Sequence, residues 1–236
     1  MEITSLQNAK VKYWVSLHDK KVRDKEKLFL IEGDHLINEA KKHNLIVETI
    51  SINDKNANYY VTKEIMQKIS SQESISNNAA VCRFIEQKEI EGNVLVLDRI
   101  QDPGNLGTII RSACAFGFYN IILSNDSVDL YNDKVIRSTE GMLFNINIIR
   151  KDIIDAINDL KKGNYTIIGT DVIKGSNIKE IKASNKAIVI GNEGSGIRNE
   201  VKDLCDSFVK INMSDKVESL NAGVAASILM YEVFND

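Results

Sequence analysis

Proline is nearly absent from this 236-residue chain; Pro103 is the only one. Cysteine is scarce too. Cys82, Cys114 and Cys205 are scattered, odd in number and without a C-x-x-C pair or a Cys/His cluster. That excludes a disulfide framework and a zinc site, and leaves three small hydrophobes for the interior. No metal is expected. The three histidines, His18, His35 and His43, all fall early in the chain. Long apolar runs are missing as well. The longest nearly apolar stretch, Ala222 to Met230, falls far short of the roughly 18 residues that span a bilayer. Met1-Glu2-Ile3-Thr4 lacks the basic and apolar regions of a secretory signal. There is no internal repeat and no low-complexity tract. A cytoplasmic protein with no membrane partner is expected.

Hydrophobic residues make up 43% and charged residues 27%, which suits one large globular domain or a small domain followed by a medium one. The net charge of −3 gives no bulk attraction for nucleic acid, so its distribution matters more. Residues 8–27 hold seven basic side chains (Lys10, Lys12, Lys20, Lys21, Arg23, Lys25, Lys27) against three acidic ones, together with Tyr13 and Trp14. Such a segment can contact phosphates and stack bases, or it can be a solvated amphipathic helix.

The first third alternates helix-like and strand-like pieces: helix over 6–20, strand over 28–33, helix over 34–43, strand over 47–52, helix over 62–70 and strand over 79–85. A charged stretch ending in Gly92-Asn93 reads as a linker over about 86–93. It separates an N-terminal domain over 1–88 from a C-terminal domain over 94–236. After the linker come six short β-branched runs, at 94–98, 121–123, 146–149, 165–169, 187–191 and 208–211. Helical patterns at 104–116, 151–162 and 218–233 separate most of them. This rhythm predicts an α/β fold with a mainly parallel sheet and helices on both faces, which binds ligands at the carboxyl ends of its strands.

Three motifs follow strands in that half. In the first, Asp102-Pro103-Gly104-Asn105 opens a helix whose Leu106, Ile109, Ile110 and Ala113 share one face. Asn105 lies in the first turn, and Arg111 points away from the buried face, free to act elsewhere or merely solvated. The second is Gly191-Asn192-Glu193-Gly194-Ser195-Gly196. Its spacing matches neither the dinucleotide fingerprint nor a phosphate-binding loop, and Glu193 would repel a phosphate. It suits a polar or cationic partner, or a plain tight turn. The third runs from Ile211-Asn212-Met213 to Ser219-Leu220-Asn221 and a helix of small residues, which Ser219 is placed to cap. Alone, that helix reads as core or interface.

Together and in this order, the motifs resemble the SpoU (TrmH) family of RNA 2′-O-ribose methyltransferases, of the SPOUT superfamily. Asn105, Arg111 and Phe116-Gly117 match its first motif. Gly191, Glu193 and Gly196 match its second. Ile211 to Met213 with Ser219-Leu220-Asn221 match its third. Arg137-Ser138 and Gly141 to Phe144 resemble a stretch the family keeps between the first two. Residues 1–85 are similar, more weakly, to the ribosomal-protein-like RNA-binding domain that many members carry in front. Two departures stand out: Asn212 replaces the usual proline, and Ala222-Gly223 stands where Val-Ser is frequent.

The resemblance implies a C-terminal trefoil knot, a homodimer packed through the knotted domain, RNA as partner and S-adenosylmethionine as methyl donor. It implies a catalytic set of Arg111, Asn105, Glu193, Ser219 and Asn221. Gly169, Thr170, Gly191, Gly196, Ile211, Met213 and Leu220 are expected to hold the donor. Lys10, Lys12, Lys20, Lys21, Arg23 and Arg137 are expected to touch RNA. A guanidinium is a poor base. Arg111 is therefore expected to clamp a phosphate and stabilise charge developing on the ribose oxygen. Ribosomal RNA is favoured over transfer RNA. A base-methylating enzyme of the same fold and a non-catalytic RNA-binding protein are the alternatives; a nucleotide-dependent oxidoreductase is disfavoured by the glycine spacing.

Overall fold

The computed structural model describes residues 1–235. They divide into two compact units: residues 1–86 with 129–144, and residues 87–128 with 145–235.

The N-terminal unit contains β1 (Glu2–Ile3), α1 (Ala9–Ser16), α2 (Lys20–Glu26), β2 (Leu28–Glu32), α3 (Asp34–Lys42), β3 (Ile46–Ser51), β4 (Tyr59–Val61), α4 (Lys63–Ile69) and β5 (Asn78–Arg83). Its sheet runs β1-β4-β3-β5-β2, with β5 antiparallel to both β3 and β2. The single helix expected over 6–20 is instead two. Asp19 accepts a hydrogen bond from the Lys21 N–H and so caps α2, which ends at Lys27 in the left-handed region. Trp14, Leu17, Ile50, Ile65, Met66 and Val81 build the core.

Residues 129–144 lie far along the sequence yet pack in this unit. Tyr131 stacks on Phe84 at 3.9 Å between ring centroids and gives its hydroxyl oxygen to the Ile85 N–H. Asp129 pairs with Arg23, and Asp133 bonds His18 at 3.0 Å.

The second unit holds β6 (Val94–Leu97), α5 (Pro103–Ala115), β7 (Asn120–Ser124), β8 (Asn147–Lys151), α7 (Ile153–Lys162), β9 (Thr166–Thr170), β10 (Lys186–Ile190), α8 (Asn199–Lys202), β11 (Ser207–Val209) and α9 (Ala222–Phe234); α6 (Asp133–Ser138) belongs to the N-terminal unit. The sheet order is β11-β9-β10-β6-β7-β8, and every pairing is parallel. Both faces are buried, as the unbroken β-branched runs require. Val94, Val96, Ile122, Ile167 and Val189 pack with Ile157 and Leu160 of α7, while the alternate residues Leu95, Leu97, Ile121 and Ile188 are equally buried. The chain grows from β6 to β7 and β8 on one side, then returns to place β10, β9 and β11 on the other. Strand ends beside such a reversal are the customary binding position in open parallel sheets. Among the described residues no helix is long and apolar enough to cross a membrane.

Candidate active site

The carboxyl ends of β9, β10 and β6 lie side by side, with Ile190 in register with Leu97 and the Asp98 N–H bonded to the Ile190 carbonyl at 2.8 Å. Three loops therefore leave the sheet together. Asp102 begins α5 as its N-cap, accepting from the Asn105 N–H at 2.8 Å, and Pro103 follows where its missing N–H costs nothing. Asn105 is thus spared capping, and its amide is free for tertiary contact.

The loop after β10 folds into a tight return. Asn192 and Gly196 exchange two backbone hydrogen bonds, at 3.0 and 2.9 Å. A side chain on Gly191 would put its Cβ 2.2 Å from the Gly196 carbonyl carbon, so only glycine permits the closure. Asn192 holds the turn by accepting from the Gly194 and Ser195 N–H groups, and it donates to the Arg99 carbonyl at 2.9 Å.

Asn221, not Ser219, caps α9. Its Oδ1 accepts from the Gly223 and Val224 N–H groups at 2.9 and 3.3 Å. That duty settles the orientation of every amide beyond it. Asn221 Nδ2 must face outward, and donates to Asn105 Oδ1 at 2.8 Å. Asn105 Nδ2 then donates to Glu193 Oε1 at 3.0 Å. The result is a directional relay from Asn221 through Asn105 to an ionised Glu193. Partial burial pushes the Glu193 carboxyl up. The bonds it accepts from Asn105 and from the Asp102 and Gln101 N–H groups outweigh that and hold it below the ordinary range.

Beside the relay lies a cleft of about 340 Å³, within the span of small-molecule sites. Of the residues expected to hold a donor, Thr170, Gly191, Gly196, Ile211, Met213 and Leu220 line it; so do Glu193 and Ser219. Gly169 does not. Phe208 and Cys205 occupy the space beside it, so it serves strand packing. Asp171, missed from the sequence, also lines the cleft, and bonds from the Ile173 and Lys174 N–H groups hold its carboxyl low. Two ionised carboxylates against one lining cation, Lys202, give the cleft a net affinity for positive charge. Ile190, Leu220 and Ala225 supply apolar walls. A sulfonium nucleoside, with an apolar ring system and a cationic centre, fits this donor set. Among the described residues no cluster of His, Cys, Asp or Glu suits a metal ion.

Arg111 stands apart from the other expected catalytic residues: Glu193 and Ser219 line the cleft, and Asn105 and Asn221, which do not line it, are tied to Glu193 by the relay. It is exposed, makes no hydrogen bond or ion pair within the described residues, and does not line the cleft of its own chain. A helix turns 100° per residue, so Arg111 lies about 120° around α5 from Asn105 and about 9 Å further along. The sequence also hid two arginines that hold the loops, Arg198 and Arg99. Asp98, fully buried at the end of β6, accepts from Arg198 Nε and Nη2 at 2.9 and 2.8 Å and from the Arg198 N–H at 3.0 Å. Arg99, in the left-handed region, donates to Ser195 Oγ and the Gly196 carbonyl. These pairs brace the glycine loop. No motif marks them, because each joins residues almost a hundred positions apart.

The expected RNA contacts divide. Lys12 and Lys21 are exposed, and their side chains have no partner among the described residues; Lys20 is ion-paired with Asp24. Lys10 is ion-paired with Glu48, and Arg137 donates to Ser71 at 2.8 Å. Arg23 is only 4% exposed and donates to the Leu17 and His18 carbonyls as well as to Asp129, which makes it a structural group and not a phosphate contact. Trp14 is fully buried, so it cannot stack on a base.

The SpoU rRNA methylase family model matches residues 92–231, over half of the chain. The chain belongs to the SpoU rRNA methylase family. An MRM3-like substrate-binding domain matches residues 8–80. The chain is similar to the 23S rRNA (guanosine(2553)-2′-O)-methyltransferase RlmP of Bacillus subtilis (strain 168), 35% identical over 98% of each protein. Among solved structures it resembles an rRNA methyltransferase from Sinorhizobium meliloti, at a TM-score of 0.90 and 25% identity over 100% of this chain and 97% of that one. An AdoMet-bound form of the Sinorhizobium enzyme matches at 0.89, with the same identity and coverage.

Proposed function

We propose that this chain transfers a methyl group from S-adenosylmethionine to a ribose 2′-hydroxyl of RNA, with ribosomal RNA as the substrate. The relay from Asn221 through Asn105 to Glu193, set at the edge of a cleft that favours positive charge, carries the reading. The name and full-length similarity of the Bacillus relative support both the reaction and the RNA. When bound, the donor supplies an electrophilic methyl group on a sulfonium. Backbone groups of the loop from Gly191 to Gly196 and the side chains of Ile211, Met213 and Leu220 hold it.

Glu193, Asn105, Ser219 and Asn221 orient the ribose. A carboxylate held below its ordinary range is a poor general base at neutral pH, so Glu193 positions the hydroxyl and does not deprotonate it. All three histidines lie in the N-terminal unit. With no imidazole in the cleft's own unit, the RNA phosphate is left as proton acceptor. Arg111 clamps that phosphate bidentately and stabilises charge developing on the oxygen.

The working form is a homodimer. α9 is apolar around most of its circumference, and Val224, Tyr231 and Phe234 are 46%, 52% and 61% exposed. A second copy covers that surface and receives Arg111 into its cleft, which the arginine does not reach in its own chain. The trefoil knot that the family resemblance implies belongs to the same reading. So does the division of labour between an RNA-binding N-terminal domain over 1–88 and the methyltransferase domain over 94–236.

Mapping ribose methylations in total RNA from cells with and without the gene tests the proposal. The expected result is loss of one 2′-O-methyl group from ribosomal RNA. An unchanged map, or a loss confined to a base or to transfer RNA, contradicts it.

A further inference from the structure

A second cleft, of about 360 Å³, lies in the N-terminal unit, lined by residues of α1 and of the neighbouring strands β2, β5 and β3. Leu28, Val47 and Val81 give it an apolar floor; Lys10, Tyr13 and Glu48 give it a polar, aromatic rim. The Lys10 and Glu48 side chains form an ion pair yet stay 39% and 17% exposed, so a ligand can reach both. The Lys10 ammonium sits 5.8 Å from the Tyr13 ring centroid and 5.3 Å from that of Tyr59. Buried Trp14 donates its indole N–H to Glu48 Oε2 at 3.0 Å and packs edge-on against Tyr59.

These contacts fix the Glu48 carboxylate. Lys10 takes one acceptor position on Oε1 and Trp14 one on Oε2. A carboxylate offers about four such positions, so each oxygen keeps one free. Lys10 also bonds Tyr59, so what remains is a pair of adjacent acceptors beside an ammonium with one proton left to donate, over an apolar floor that strengthens any hydrogen bond made there.

We propose that this cleft binds one unpaired guanine of the RNA substrate through its Watson–Crick edge. Guanine N1–H and N2–H donate to the two Glu48 oxygens, O6 accepts from Lys10, and the base stacks on Tyr13. Among the four bases only guanine carries an acceptor followed by two donors along that edge. Unpaired bases are the usual target of sequence-specific RNA recognition, through stacking and edge hydrogen bonds. The inference rests on the reading that the chain acts on RNA, and it adds a base-selective contact to the N-terminal unit.

The test measures binding of the full chain, at fixed salt, to single-stranded uridine dodecamers with one central guanosine, inosine or adenosine. A bidentate edge contact discriminates by roughly tenfold or more, so guanosine should bind that much tighter than adenosine. Inosine, which lacks the N2 amine, should fall between. Glu48→Gln, whose amide oxygen can keep the Trp14 bond, should abolish the preference. Tyr13→Ala should weaken all three dodecamers and leave their ratio unchanged. Equal wild-type affinity for guanosine and adenosine, or a preference that survives Glu48→Gln, overturns the proposal. Methyl transfer to ribosomal RNA is measured in parallel: transfer without guanine preference defeats this site alone, whereas guanine preference without transfer supports the site and defeats the proposed reaction.

Discussion

Replacing Asn105 by Asp changes one half of one side chain. The variant keeps its shape and can still accept from Asn221, but turns a carboxylate oxygen towards Glu193, where an amide now donates at 3.0 Å. Two unit charges at that separation repel by about 5.5 kcal/mol at an effective dielectric of 20 and by about 1.4 kcal/mol in water. Glu193 is solvent-exposed and Asn105 buried, so the true value lies between. Protonation sets a ceiling: neutralising an ordinary aspartate at pH 7 costs about 4 kcal/mol. A loss of about 2–4 kcal/mol at neutral pH follows. In the folded variant one carboxyl of the pair titrates above its unfolded value. The penalty is therefore full above that raised pKa and vanishes as pH falls towards about 4, where the unfolded group also protonates. Urea unfolding followed by circular dichroism at pH 7, 5.5 and 4.5 reads the gap between variant and parent. A variant as stable as the parent at pH 7, or a deficit equal at all three values, would refute the relay.

Three further expectations are independent of that one. If Arg111 works in a partner's cleft, Arg111→Ala and Glu193→Ala are each inactive, yet their co-expressed mixture should regain about a quarter of parental activity, since each heterodimer rebuilds one whole site; no regain places the arginine in its own chain's site. Arg23→Ala strands Asp129 and two carbonyls and should cost about 3–5 kcal/mol of stability. Lys12→Ala and Lys21→Ala should instead leave stability unchanged and lower RNA affinity and its salt dependence; an Arg23→Ala protein as stable as the parent would return that residue to the RNA surface. His18 is raised above the ordinary histidine value, chiefly by its hydrogen bond to Asp133, against the effect of burial. Its stabilising contribution is thus fully present below about pH 6.5 and fades as pH rises through the raised folded value. An NMR titration placing His18 at or below its ordinary pKa, or unmoved by Asp133→Asn, would contradict the pairing.

What could be read from the sequence was local. Uninterrupted runs such as Val94 to Leu97 and Ala187 to Ile190 have one stable use, a strand buried on both faces, and the parallel sheet followed from their alternation with helices. The glycine loop, Asn105-Leu106 and Ser219-Leu220-Asn221 carried recognisable spacing. Choosing the cap of α9 required geometry: Ser219 and Asn221 both suit an N-cap, and only the fold shows Asn221 doing it while reaching Asn105. Arg23 and Lys21 look alike in a basic segment, but one faces the interior and meets Asp129, over a hundred residues away. Asp98 with Arg198, Lys10 with Glu48, and the packing of residues 129–144 in the N-terminal unit are long-range pairings of the same kind, beyond periodicity or local propensity.

The most direct test supplies the full chain with methyl-labelled S-adenosylmethionine and ribosomal RNA from cells lacking the gene, then locates the label by nuclease digestion and mass spectrometry. The label is expected on one ribose 2′-oxygen, and Asn221→Ala or Glu193→Ala should remove it. Label on a base, or transfer undiminished in both variants, would contradict the account.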